Sequence, residues 1–197
     1  MTAHEPVWGL VLAGGKSRRM GHDKALLRHN GETQLSRAVA LLEGQLERVF
    51  VSTTAAQADD PERSQFDQIV DRYDDMGPVA GILAAMDSNS DVSWLVLACD
   101  LPNVDQATIA YLLENCSRDQ LATAYRSSHD NLPEPLCAIY RPQARAVIDS
   151  FVSDGMNCPR KILIRSDTHL LDQPNPAALH NINTPEDLAG TGITLAT

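Results

Sequence analysis

The chain has 197 residues, 43% of them apolar and 21% charged, with a net charge of −10 from 16 Lys and Arg against 26 Asp and Glu. That length suits one domain, 1–197, with a single core, and the composition is that of an ordinary globular protein. The acidic balance argues against a general nucleic-acid binder, which needs a basic face for phosphates. No apolar run reaches the ~20 residues that span a bilayer.

The start, MTAHEPVWGL, has no basic n-region and carries Glu5, so no secretory leader is expected. Val7 to Leu12 is a short apolar run closed by Gly14-Gly15, the pattern of a buried strand entering a loop. Thr33 to Leu46 repeats apolar residues at helical spacing after a Thr/Ser start. Residues 48–52 read as a second strand, 55–65 as a short helix and loop, and 68–71 as a third strand ending on Asp71. Gly77 to Met86 reads as a helix with Pro78 at its first position, where the missing N–H costs nothing.

Val92 to Ala98 is the most apolar strand and runs into Cys99-Asp100-Leu101-Pro102. A helix over 105–115 follows, with Asp105 as N-cap. Strands are expected at 121–125, 135–140 and 170–171, and a helix at 143–152. Residues 127–135, with His129, read as an exposed loop, and Thr184-Pro185 opens a last helix. Alternating strands and helices imply an α/β domain with a mostly parallel sheet covered on both faces. Ligands of such sheets sit beyond the carboxyl ends of the strands, where Gly14, Gly15, Ser52, Asp71 and Asp100 converge.

The four cysteines, Cys99, Cys116, Cys137 and Cys158, form no C-x-x-C pair and suit a reducing cytoplasm better than a zinc site or disulfide scaffold. The basic residues are not evenly spread. Lys16, Arg18, Arg19, Lys24 and Arg28 fall within thirteen residues that contain one acid, Asp23. In an acidic chain this concentration suits a small polyanionic ligand, although a solvated basic helix face would look the same. Gly15-Lys16-Ser17 resembles the end of a phosphate-binding P-loop. The motif G-x-x-x-x-G-K-[ST] would put its first glycine at position 10, which is Leu10, and another glycine, Gly21, follows where the helix should run.

What remains is a glycine-rich loop followed by spaced cations. Backbone N–H groups at Gly14 and Gly15 can approach phosphate oxygens, Arg18 offers a fork of donors, and Lys24 a point charge. Asp100 can bind Mg²⁺, which takes one or two carboxylates plus phosphate oxygens and water, or can simply close a turn before Pro102. Such parts suit attack on a nucleoside triphosphate with loss of pyrophosphate.

The stretch LAGGKSRRMGHDKALL, with Asp71 after a short strand, GPVAG at 77–81, LVLACDLP at 95–102 and NINTPEDL at 181–188, resembles the nucleotidyltransferases of molybdenum cofactor maturation, the guanylyltransferases. The resemblance implies a single three-layer Rossmann-like α/β domain and a Mg²⁺-dependent transfer of GMP from GTP to molybdopterin. It implies that Leu12, Ala13, Gly14 and Gly15 lie along the nucleotide, that Lys24 and Arg19, with Arg18 as a helper, serve the phosphates, that Asp71 reads guanine, and that Asp100 holds the metal. At the end of the second strand the family often carries Asn where this chain has Ser52. Arg160, Lys161, Asn181 and Asn183 are candidates for the pterin side, and Arg160-Lys161 could equally be a basic helix edge. Molybdoenzyme apoproteins or their chaperones are the partners that the resemblance suggests. The rival functions are a cytidylyltransferase or sugar-phosphate nucleotidyltransferase of the same superfamily, and a non-catalytic carrier of nucleotide or pterin.

Overall fold

The structure is a computed structural model and describes residues 5–13, 23–73, 75–181 and 193–194. In chain order the elements are β1 (Val7–Leu12), β2 (Arg28–His29), β3 (Glu32–Thr33), α1 (Gln34–Glu43), β4 (Val49–Thr53), β5 (Gln68–Val70) and α2 (Pro78–Ser88). They continue with β6 (Ser93–Ala98), α3 (Gln106–Glu114), β7 (Ala122–Arg126), β8 (Pro133–Tyr140), α4 (Ala144–Ser153), α5 (Pro159–Arg165), β9 (Thr168–Leu171) and β10 (Ile193–Thr194).

Seven strands form one sheet in the order β5-β4-β1-β6-β8-β7-β9. β8 is antiparallel to both of its neighbours, and the other pairings are parallel. Alternation along β1 and β6 divides the core between the two faces. Leu10, Leu12, Trp94 and Val96 pack on one side with residues of α2, α4 and α5, such as Ile82, Ile148 and Ile162. Val11, Ala13, Leu95 and Leu97 pack on the other with Leu35, Val39 and Leu42 of α1 and Ile109 and Leu112 of α3. This is the expected three-layer α/β architecture.

Local chemistry sets the helix ends. Thr33 caps α1 by accepting from Ser36 N, and α1 stops at Glu43, short of the expected Leu46, with Gly44 at its C-cap. Asp105 caps α3 through Thr108 N, as expected. Pro78 and Pro159 both stand in the first turn of their helices.

Several features depart from the sequence expectations. Residues 28–33 form a hairpin, β2 to β3, around Asn30 (φ 51°) and Gly31 (φ 86°), the positive-φ pair that an Asn-Gly turn supplies. β10 then pairs with β2 to complete a three-stranded antiparallel sheet. Helix α5 occupies 159–165, and residues 127–135 are not one exposed loop. Ser127 is buried, Pro133 already begins β8, and the exposed stretch is 128–132. The expected helix after Thr184 lies outside the described residues.

Candidate active site

β1 lies between β4 and β6, so the chain lays β4 and β5 on one side of β1 and then crosses to the other side for β6. The crevice at such a reversal, beyond the carboxyl ends of the strands, is where open α/β sheets bind ligands. The strand ends here are tied together by backbone bonds: Ala13 N donates to Ser52 O (3.3 Å), Cys99 N to Leu12 O (3.4 Å) and Asp71 N to Thr53 O (2.7 Å). Asp71, Ser52, Ala13 and Asp100 therefore belong to four adjacent strand ends.

Lys24 opens a 3₁₀ turn over Lys24–Leu26 whose N-cap is Asp23; the Asp23 side chain accepts from Ala25 N. Its ammonium Nζ lies 3.2 Å from Asp100 Oδ2, with the two side chains 17% and 22% exposed. A cation and a hard carboxylate donor thus meet at the end of the crevice between β1 and β6. Among the described residues no three His, Cys, Asp or Glu side chains cluster as a metal site. Asp100 alone still fits Mg²⁺, because that ion commonly takes one carboxylate and fills its shell with phosphate oxygens and water.

Asp71 stands just beyond β5, where its Oδ1 accepts from Tyr73 N at 2.7 Å. Ser52 is 3% exposed, and a Cβ placed on Gly81 would sit 2.4 Å from Ser52 Oγ and 2.8 Å from Leu12 Cδ2. The glycine that ends GPVAG thus lets α2 approach the strand ends closely. Leu12 and Ala13 are buried, and Ala13 uses both its N–H and its carbonyl within the protein, on Ser52 and Arg63. Gly14, Gly15, Arg18, Arg19 and Asn183 lie outside the described residues.

Beyond Asp100 the crevice continues into a cavity of about 290 Å³ lined by Asp100, His129, Glu134, Arg160, His180 and Asn181, among others. The structure so brings Asp100, Arg160 and Asn181 to one space, while Lys161 stands exposed on α5 outside that lining. The Arg160 fork is engaged by two carboxylates, Asp130 Oδ2 at 3.0 Å and Glu134 Oε2 at 2.7 Å. It serves this wall as part of an ion-paired cluster. The imidazoles of His129 and His180, also on this lining, stack with centroids 5.0 Å apart.

Sequence reading missed Asp23, Arg63, Glu134 and His180. Only Asp23 had a signal, its place before the Lys24 turn; the others depend on contacts distant in sequence. The cysteines form no disulfide, and burial raises the Cys99 thiol pKa and pushes Cys137 up to about 12. Neither is a nucleophile at neutral pH.

The site is thus a lysine ammonium on an aspartate carboxylate at the reversal point of an α/β sheet. The chain belongs to the MobA-like NTP transferase family, whose domain model matches residues 9–169. It is 38% identical over 182 residues to the molybdenum cofactor biosynthesis bifunctional protein of Synechocystis, covering 92% of this chain and 52% of that protein, so the chain spans about half the length of that relative. It is 32% identical over 183 residues to the molybdenum cofactor guanylyltransferase of Pseudomonas fluorescens, covering 90% of this chain and 89% of the relative. In fold it is similar to the molybdopterin-guanine dinucleotide biosynthesis protein A of Archaeoglobus fulgidus, with TM-score 0.73, 23% identity, and coverage of 91% and 94% of the two chains. No helix among the described residues is long and apolar enough to cross a membrane.

Proposed function

We propose that this chain, acting as a single nucleotidyltransferase domain, transfers GMP from GTP to the terminal phosphate of molybdopterin and releases pyrophosphate. The guanylyltransferase name of the Pseudomonas fluorescens relative supports the substrates, and the name of the Synechocystis relative supports the pathway. The observation that carries the chemistry is the Lys24 ammonium on the Asp100 carboxylate at the β1–β6 crevice.

A phosphate oxygen of molybdopterin attacks the α-phosphorus of GTP in line, the new P–O bond forms, and the bond to the β-phosphate oxygen breaks. Lys24 meets the negative charge that collects on the departing pyrophosphate, a fixed charge aimed where charge develops. Asp100 is the residue that would hold Mg²⁺, which when bound supplies further charge neutralisation at the phosphates. Arg19 would add a guanidinium fork to the phosphates, with Gly14 and Gly15 offering backbone donors. Asp71 lies three strand spacings from Asp100 along the sheet edge, β5 to β6. At about 4.8 Å per spacing this is roughly 14 Å, the scale of an extended nucleotide. At that distance the Asp71 carboxylate can accept from guanine N1–H and the 2-amino group.

The cavity beyond Asp100 is the place for the second substrate, with Asn181 and the Arg160 cluster on its wall and Asn183 as a further candidate. Its position lets a bound phosphate reach the α-phosphorus near Asp100. Reduced thiols suit a cytoplasmic enzyme, and hand-over to molybdoenzyme apoproteins or their chaperones would follow transfer.

The test is pyrophosphate release with molybdopterin, Mg²⁺ and GTP, CTP or ATP in parallel. Release with GTP alone is expected. Release with CTP alone overturns the base assignment, and GTP binding without release from any nucleotide favours a carrier.

A further inference from the structure

The polar stretch 55–65 contributes one side chain to the core. Arg63 is 1% exposed, and burying a guanidinium is unfavourable unless its charge is met. Among the described residues three groups meet it, from three parts of the chain. Nη2 donates to Ala13 O at 2.9 Å and to Asp23 Oδ2 at 2.5 Å, and Nη1 lies 3.5 Å from Asp60 Oδ1.

The first two acceptors share one nitrogen. Ala13 ends β1 and Asp23 begins the turn that carries Lys24, so Arg63 ties together the two residues that bracket 14–22 in sequence. The coupling reaches the site in short steps. Asp23 Oδ2 accepts from Arg63 Nη2 and from Gln57 Nε2 (3.4 Å), while its Oδ1 accepts from Ala25 N (3.0 Å) and starts the 3₁₀ turn. Lys24, the first residue of that turn, then stands on Asp100.

We propose that Arg63 is a positioning residue for nucleotide binding and transfer. By holding Ala13 and Asp23 on one guanidinium it fixes both ends of the glycine-rich loop and aims Lys24 at the phosphates. This rests on Lys24 being a phosphate ligand, as in the proposed function.

The experiment compares Arg63→Gln, Arg63→Lys, Lys24→Ala and the double variant Arg63→Gln/Lys24→Ala by GTP titration and by kcat/KM, each below its own melting temperature. Arg63→Gln raises the GTP Kd and lowers kcat/KM by about tenfold or more, because small misplacements of a charge-stabilising group are costly. Arg63→Lys, which keeps the charge without the planar fork, recovers part of the loss. In the Lys24→Ala background Arg63→Gln adds less than about twofold, since the two act through one pathway. A merely structural arginine lowers Tm but leaves the GTP Kd of the folded protein within about twofold of wild type. That result overturns the proposal, as does an equal loss in both backgrounds. If Arg63→Gln does not fold, Asp23→Asn removes one leg of the clamp and has to reproduce both the Kd rise and the non-additivity; an unchanged Kd overturns the proposal. Wild-type protein that binds GTP but transfers nothing refutes the proposed reaction, while the Kd comparison still decides the role of Arg63.

Discussion

Lys24 and Asp100, 76 residues apart in sequence, meet at 3.2 Å because the turn capped by Asp23 sets the lysine over the end of β6. The pair is only partly buried, so its worth as an ion pair is small, about 0–1 kcal/mol. Its placement at the crevice between β1 and β6 gives it another use. In the proposed reaction a nucleotide with its phosphates between the two side chains would gain a cation on one side and a carboxylate able to take a metal on the other.

Replacement of Lys24 by Ala lowers kcat by about 10²–10³, the usual cost of losing one charge-stabilising donor, and shifts Tm little. Steady-state kinetics together with a thermal melt check both halves. A loss under tenfold removes the lysine from the mechanism.

Gly81 is a packing prediction. A methyl group there would stand 2.4 Å from Ser52 Oγ and 2.8 Å from Leu12 Cδ2, and both neighbours are buried. Gly81→Ala should therefore destabilise the protein by about 1–3 kcal/mol and weaken nucleotide binding, because the strand ends of β1 and β4 have to move. Urea unfolding and a GTP titration measure the two effects, and unchanged values in both contradict the close approach of α2.

Asp105 carries a pH dependence. Hydrogen bonds from the Thr108 hydroxyl and backbone N–H hold its carboxyl below the ordinary aspartate pKa. Folding so favours the ionised form. The stabilisation is fully present above about pH 4, the ordinary value, and is lost as pH falls through the lower folded value. Asp105→Ala should cost about 1 kcal/mol at neutral pH, and the difference from wild type should shrink on acidification in parallel denaturant titrations.

The legible parts of this molecule were those written in local pattern. β1 and β6 are apolar runs ended by glycine or by Cys99-Asp100, and their positions were read closely. Asp105 and Pro78 announced α3 and α2 through cap chemistry. The hairpin at Asn30-Gly31 was also written locally, but its strands are two residues each and carry no periodicity. Arg63 could not be read, because a buried arginine in a polar stretch differs from a solvated one only through its partners at positions 13, 23 and 60. In sequence Arg160 is a candidate ligand cation; its pairing with Asp130 and Glu134 depends on α5 packing against β8 and the residues before it.

The most direct measurement follows the α-phosphate. Wild-type protein and Asp100→Asn are incubated with Mg²⁺, molybdopterin and GTP labelled at the α-phosphorus. Wild type should carry the label into a dinucleotide product with one pyrophosphate released per label transferred, and Asp100→Asn should lose this while retaining its fold. Label remaining in GTP with wild type, or full transfer by Asp100→Asn, would contradict the account.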